Sequence, residues 1–291
     1  EYRNGVKVGS SMREMTFVVL NNCNNNPPNG GLSNGVGGTI ITPITVNACK
    51  GNLFNVNINP TDVDGNTINV SASGIPAGAS FTVSGNNTTN PSALLTWNLF
   101  NVAPGSYNFF VTYTDDGCPL ASKQTTAYTI NVLPQPGITF ALLSPATCTK
   151  KARFNVTPNN NPPWTLTVLQ GTTTVHTINS ITGTQLDSLS PGTYTLRILA
   201  SNGCTKDTVI SIAAPPAIIP SVSMVKPTCF GTADGSITAT AAGGLPPFQY
   251  AIGATGTFST NNVFIGLMGG NYIIRVKDAN ECIKDTVVQL Q

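Results

Sequence analysis

The run Cys204-Thr205-Lys206-Asp207-Thr208-Val209 returns as Cys282-Ile283-Lys284-Asp285-Thr286-Val287, each residue 78 positions further on. In both copies a Gly-x-Tyr, Gly192-Thr193-Tyr194 or Gly270-Asn271-Tyr272, places its tyrosine 10 residues before the cysteine. Upstream, Thr147-Cys148 matches Thr228-Cys229, and Pro162-Pro163-Trp164 matches Pro246-Pro247-Phe248. A looser copy precedes them, in which Gly105-Ser106-Tyr107 is followed by Gly117-Cys118, with tyrosine and cysteine 11 apart. A period of this length means that one small unit of supersecondary structure is built three times in tandem.

The repeated segments alternate as strands do. Tyr194-Thr195-Leu196-Arg197-Ile198-Leu199 and Tyr272-Ile273-Ile274-Arg275-Val276-Lys277 alternate or nearly alternate inward and outward residues, each after a glycine-containing turn. Charged residues make up 9% of the chain, while Gly and Pro supply 28 and 21 positions, a composition that excludes coiled coils and helical bundles. Turn signals every 8 to 12 residues with no helical period between them indicate an all-β chain of tandem immunoglobulin-like β-sandwich modules. The tyrosine at the start of the penultimate strand has two readings, a tyrosine corner of such a sandwich or an ordinary half-buried aromatic. Pro-rich joints at Asn24 to Pro28, Leu133-Pro134-Gln135-Pro136-Gly137 and Ala213-Ala214-Pro215-Pro216 resist strand pairing and act as semi-rigid spacers. They set the expected boundaries: 1–38, the end of a preceding β module plus linker; 39–134; 137–216; and 217–291. The expected object is an elongated rod.

Seven cysteines, with no C-x-x-C pair and a single histidine, supply no zinc or haem ligand set. Six fall into pairs, Cys49 with Cys118, Cys148 with Cys204 and Cys229 with Cys282, separated by 69, 56 and 53 residues. Each pair encloses one run of short strands, as a disulfide closing a small β-domain would, and an oxidising, extracytoplasmic compartment follows. Loops of that length are each worth about 4 kcal/mol in the chain-entropy model. Cys23 has no partner in its own segment and is expected to pair with an upstream cysteine of a truncated domain, a free reactive thiol being the other reading. The formal charge is +2 with no basic run, so nucleic acid is not an expected partner. No stretch approaches the roughly 18 apolar residues of a membrane span, so no membrane insertion is expected. The opening Glu1-Tyr2-Arg3-Asn4-Gly5 is neither an initiator nor an export signal, and the chain reads as a cut from a longer polypeptide.

The last module closely resembles the SprB repeat. The residues that carry the likeness are Pro227-Thr228-Cys229-Phe230-Gly231-Thr232-Ala233-Asp234-Gly235-Ser236-Ile237, Gly243-Gly244-Leu245-Pro246-Pro247-Phe248-Gln249-Tyr250, Gly269-Gly270-Asn271-Tyr272 and Asp278-Ala279-Asn280-Glu281-Cys282, with Glu281 where the family usually has Gly. Residues 137–216 look like a diverged copy without the Asp-Gly of the first strand. Residues 39–134, with Asp62-Val63-Asp64-Gly65-Asn66, Ile75-Pro76-Ala77-Gly78-Ala79 and Trp97, resemble cadherin-like or PKD-like immunoglobulin modules of the same proteins. The resemblance implies a giant surface adhesin of Bacteroidota, exported by the type IX system. Its expected location is extracellular, on the outer-membrane surface of a Gram-negative cell. In gliding species such proteins move along the cell and grip the substratum, so the implied partners are an extracellular surface, polysaccharide or other cells. Two alternatives stand beside the adhesin: a subunit of an extracellular filament, formed by self-association, and a carbohydrate-binding or spacer array of a secreted hydrolase.

No catalytic set can be assembled, and no enzymatic activity or cofactor is expected. His176 in Thr174-Val175-His176-Thr177-Ile178 falls on the polar face of a strand and is expected to be solvated. Asp62, Asp64 and Asn66 offer oxygen ligands at alternate positions of an Asp-Gly turn, which would hold Ca²⁺ if Asp115 or Asp116 approached from the later loop. A plain hairpin turn is the other reading. Asp234 and Asp278 are a weaker pair of the same kind. Trp97, Trp164 and Phe248 are expected in the core, with a sugar-stacking platform as the alternative. Asp187-Ser188-Leu189, Asp207-Thr208-Val209 and Asp285-Thr286-Val287 are similar to the O-glycosylation signal of exported Bacteroidota proteins, which would place glycans on Ser188, Thr208 and Thr286.

Overall fold

The structure, a computed structural model, describes residues 24–117 and 120–291 together with the backbone of a two-strand ladder, β1 (Tyr2–Arg3) and β2 (Val6–Lys7). Every helix-free prediction holds: each regular element among the described residues is a strand. The chain divides into two compact units, Glu1–Pro134 and Gln135–Gln291.

The first unit contains one sandwich. Its strands are β3 (Leu32–Val36), β4 (Gly38–Thr42), β5 (Thr45–Cys49), β6 (Leu53–Ile58), β7 (Ile68–Ser73), β8 (Ala79–Ser84), β9 (Ser92–Asn98), β10 (Gly105–Asp115) and β11 (Lys123–Leu133). One sheet runs β3-β6-β9-β8 and the other β4-β5-β11-β10-β7. The pairing is antiparallel except between β5 and β11, which run parallel from Thr45↔Thr129 to Cys49↔Leu133. The opening segment gives β3 to one sheet and the antiparallel pair β4-β5 to the other, with β5 parallel to the final strand, an immunoglobulin-type arrangement. The chain changes sheets at Gly37, where φ is +74° and a Cβ would stand 2.1 Å from the Leu53 carbonyl oxygen, so only glycine fits. Alternate residues of the two inner faces, among them Phe54, Val56, Leu95 and Trp97 from one and Val46, Phe109, Val111 and Ile130 from the other, form a continuous core.

The boundary expected at residue 38 is corrected here. Leu32 is buried in that core, β3 pairs with β6, and Asn29 bridges Thr61. The segment after Pro27-Pro28 is therefore the opening strand of this sandwich. It supplies the edge that β6 would otherwise leave unpaired.

The second unit contains two sandwiches. The first comprises β12 (Gly137–Ser144), β13 (Ala152–Asn159), β14 (Trp164–Gln170), β15 (Thr173–Ile181), β16 (Gln185–Leu189), β17 (Gly192–Ala200) and β18 (Thr205–Ile212). Its sheets are β12-β13-β16 and β15-β14-β17-β18. The second comprises β19 (Ile218–Val225), β20 (Gly235–Gly243), β21 (Gln249–Ile252), β22 (Val263–Leu267), β23 (Gly270–Lys277) and β24 (Ile283–Leu290). Its sheets, β19-β20-β22 and β21-β23-β24, repeat the same order strand for strand. The difference is β15, which in the last sandwich is reduced to a bridge between Tyr250 and Ser259. Each sandwich closes over its own core, around Phe154, Leu166, Leu196 and Ile198 in one and Ile237, Ala239, Ile274 and Val288 in the other.

Candidate functional site

The repeated tyrosine is a corner in all three sandwiches. Tyr107 donates to the Ala103 carbonyl at 2.8 Å, Tyr194 to Ser190 at 3.0 Å and Tyr272 to Met268 at 2.8 Å, each four residues back. The bond ties the start of the penultimate strand to the loop that crosses into it. Ten residues on from Tyr194 and Tyr272, the turn into the final strand carries the second cysteine of each module. Between them a cross-strand pair recurs: Arg197 meets Asp207 in bidentate fashion, with 2.7 and 2.8 Å bonds, and Arg275 meets Asp285 at 3.1 Å.

In the second unit Cys148 and Cys229 do not close their own modules. Cys148 is joined to Cys282, and Cys229 is free and exposed. Cys49 and Cys204 are also disulfide-bonded, while Cys23 and Cys118 lie outside the described residues. The expected links from Cys148 to Cys204 and from Cys229 to Cys282 are thus replaced by one between consecutive modules. The reason lies in the sandwich itself. The first cysteine precedes the second strand at one end of a module, whereas the second cysteine follows the penultimate strand at the opposite end. Stacking modules brings unlike ends together.

That junction is built from backbone as well as sulfur. The Cys148 amide donates to the Asn280 carbonyl at 3.2 Å, and the Thr149 hydroxyl donates to the Glu281 carboxylate. This bond, aided by Lys150, holds the Glu281 carboxyl below the usual range. The cysteine turn is preformed: buried Asp278 accepts from the amides of Cys282 and Leu245, each at 2.9 Å. At the other end of the last module Asp234 plays a similar part for the Cys229 turn, accepting from the Thr228 amide and from the hydroxyls of Thr228 and Thr232. Those hydroxyls hold its carboxyl at about 2. Asp234 and Asp278 are therefore each committed to their own turn.

In the first sandwich, Asp62, Asp64, Asn66 and Asp115 come near one another through two asparagines that sequence reasoning passed over. Asn25 donates to both oxygens of buried Asp115 at 3.0 Å and accepts from Asn66 at 2.8 Å. Asn26 donates its amide to Asp64 at 2.6 Å. Asp62 caps its own turn through the amides of Asp64 and Asn66, and Asp116 accepts from the Thr67 amide. Burial pushes the Asp115 carboxyl up, but donors from Ser122, Asn25 and Gly117 outweigh it and the net shift is downward. Among the described residues no three His, Cys, Asp or Glu side chains converge on a metal-sized site; the Asp64 and Asp115 carboxylates face N–H and O–H donors, which a cation would have to displace, while Asp62 Oδ2 is buried without a partner.

The remaining candidates separate clearly. Trp97 and Trp164 are buried in their cores, with indole N–H bonds to Ala77 and Asn160, and Phe248 packs against the core of the last sandwich. His176 is corrected: it is not merely solvated, since its Nε2 lies 2.7 Å from Asp187. Ser188, Thr208 and Thr286 are all half-buried. Thr208 shares its strand face with Ile210 and Ile212, and Thr286 with Val288 and Leu290.

Residues 221–255 match the family described as the SprB repeat. No curated protein matches this chain. Solved structures similar to it include the I-band fragment I67–I69 of titin, at 12% identity over 91% of this chain and 98% of that one, with a TM-score of 0.36. The sialic acid binding region of the Streptococcus sanguinis SK1 adhesin is similar at 11% identity over 92% and 78%, with a TM-score of 0.36. The mouse nectin-like molecule 4 ectodomain is similar at 9% identity over 84% and 96%, with a TM-score of 0.35.

Proposed function

We propose that this chain is a non-enzymatic segment of a secreted surface adhesin, a run of tandem sandwiches that spans the gap between a cell and what it attaches to. The observation that carries the reading is the Cys148–Cys282 link, which fastens one repeat to the next instead of closing each on itself. A chain that must transmit tension gains from such a link, because force reaching Cys148 passes to Cys282 through the disulfide and spares the residues between them. Repetition adds reach and multivalency, so that weak contacts sum to firm attachment. The disulfides belong to an oxidising compartment, and the SprB repeat at 221–255 supports a cell-surface setting. The resemblance of the last module extends the reading to a Bacteroidota cell envelope, type IX export and, in gliding species, movement along the cell.

The aromatic side chains do not favour the sugar-binding alternative, since both tryptophans are core residues. The test is to label intact cells of the source organism with antibody raised against residues 1–291, and to add the purified chain as a competitor in an attachment assay. Surface labelling and reduced attachment are expected. Labelling that appears only after permeabilisation, or enzymatic turnover of a polysaccharide by the purified chain, would overturn the reading.

A further inference from the structure

We infer that Cys229 is the attachment point for a further module of the same design, through a disulfide to that module's second cysteine. The inference holds whatever the array adheres to.

Cys229 and Cys148 occupy the same place in the repeat, after Thr228 and Thr147 respectively and before the second strand of their sandwiches. Cys148 takes the second cysteine of the module that follows it, Cys282. Cys229 is exposed and free, and the third sandwich presents it in a turn already ordered by Thr232, whose hydroxyl donates to the Cys229 carbonyl at 2.8 Å. The Cys148 turn is ordered by a different threonine, Thr147, whose hydroxyl accepts from the amides of Thr149 and Lys150.

The surroundings fit an occupant of this kind. Beside Cys229 lies a groove of about 680 Å³, lined by Phe230, Met268, Gly269, Asn271 and Leu290 among others. Phe230 is fully exposed and Met268 is 54% exposed, an unusual state for neighbouring large apolar side chains on one module end. The loop that carries Met268 is the one locked by the Tyr272 corner. At the Cys148 end, the corresponding corner carbonyl belongs to Ser190.

The contact cannot be a copy of the existing junction in every detail. Phe230 stands where Thr149 donates to Glu281, so the incoming turn must lay backbone or a small residue against an aromatic ring. Glu281 itself has φ +61°, a conformation in which glycine is unstrained. A module whose cysteine turn has glycine at that position is the expected partner. Bond formation joins two thiols with loss of two protons and two electrons, which reduce a disulfide-bearing oxidant to its dithiol.

The test extends the full chain by a second copy of residues 214–291 after Gln291, which keeps the Ala214-Pro215-Pro216 joint between modules. The added copy carries Glu281→Gly, which also marks its cysteine peptide by mass, and Cys229→Ser, which leaves one Cys229 in the chain. After oxidative folding, free thiols are alkylated and the chain is digested without reduction. The expected map contains the Cys148–Cys282 pair and, beside it, Cys229 joined to the marked peptide. Cys229 recovered alkylated alongside an intact Cys148–Cys282 pair, or joined to the unmarked Cys282, would overturn the inference. A second version, marked by Lys284→Arg with Glu281 retained, is expected to form the same pair more slowly; equal or faster pairing would overturn the role given to glycine.

Discussion

The hydroxyl of Tyr128 donates to the carbonyl oxygen of Gly30 at 2.8 Å, and Tyr113 in turn donates to Tyr128 at 2.6 Å. Both phenols are fully buried, and burial pushes the pKa of each upward, so they remain protonated at any physiological pH. This relay fastens the opening segment to the last two strands of the first sandwich. Tyr128→Phe leaves a buried carbonyl and a buried hydroxyl short of a partner, and a loss of about 1–3 kcal/mol is expected from denaturant unfolding. Gly30→Ala is expected to be at least as costly, because its Cβ would stand 2.5 Å from the Tyr113 oxygen. An unchanged midpoint in either variant would contradict the relay.

Breaking the Cys148–Cys282 link should loosen the second unit while leaving the first alone. The two cysteines are 134 residues apart, for which the chain-entropy model gives about 5 kcal/mol, with about 2–4 more usual in practice. Cys148→Ser is expected to lower one calorimetric transition, attributable to residues 135–291, and to make it insensitive to reductant at this bond. A single unshifted transition would show that the link adds nothing to the fold.

Trp164→Ala should cost about 3–5 kcal/mol, as truncation of a buried aromatic does. Its indole fills the core and its N–H reaches Asn160 at 2.6 Å. A glycan-array signal lost in this variant with stability preserved would reverse the assignment and favour a sugar platform.

Acid should weaken the protein over a narrow window. The carboxyls of Asp115, Asp116, Asp207 and Asp234 lie below their ordinary value of 3.8. A group depressed by folding contributes stability above its unfolded pKa and loses it as pH falls through the folded value. Melting temperature is therefore expected to be flat with respect to these groups from pH 7 to 5. It should then fall below about 4 and continue to fall toward the Asp234 value of about 2. Asp234→Asn should remove part of that final fall in the transition of residues 135–291; a slope unchanged by the substitution would count against the role of the Cys229 turn.

Calcium at about 1 mM, the range in which extracellular modules bind it, is expected to leave the melting temperature unchanged. The Asn25 amide already occupies Asp115, and Asn26 occupies Asp64. A rise of several degrees would show that the cation displaces them and that the Asp62 turn is a true site.

Much of the strand architecture was legible in the chain. Leu196, Ile198 and their counterparts Ile274 and Val276 stand at alternate positions around Arg197 and Arg275, and the side-chain period of 2 turns that alternation into a buried face. The tyrosine corner was half legible: Gly-x-Tyr marks the place, but only the carbonyl four residues back distinguishes a corner from an ordinary inward aromatic. The role of Asn25 and Asn26 was not legible, because both stand in an asparagine-rich stretch and gain meaning from Asp115 and Asp64, 90 and 38 residues away. His176 was misplaced for a related reason. Its strand face is polar, yet Asp187 reaches it from the other sheet.

That this is an all-β protein of repeated units, each with its own apolar face, is written in the chain, because that information is local and periodic. Which cysteine meets which was decided only by tertiary structure. Spacing along the chain makes Cys148 and Cys204 natural partners, but the strands between them carry the two thiols to opposite ends of one sandwich. The modules then stack end to end, and Cys148 finds Cys282. Loop entropy favours the nearer cysteine by only a fraction of a kcal/mol, since it grows with the logarithm of separation, whereas a disulfide demands Cα atoms within about 7 Å. Geometry therefore outweighs proximity in sequence.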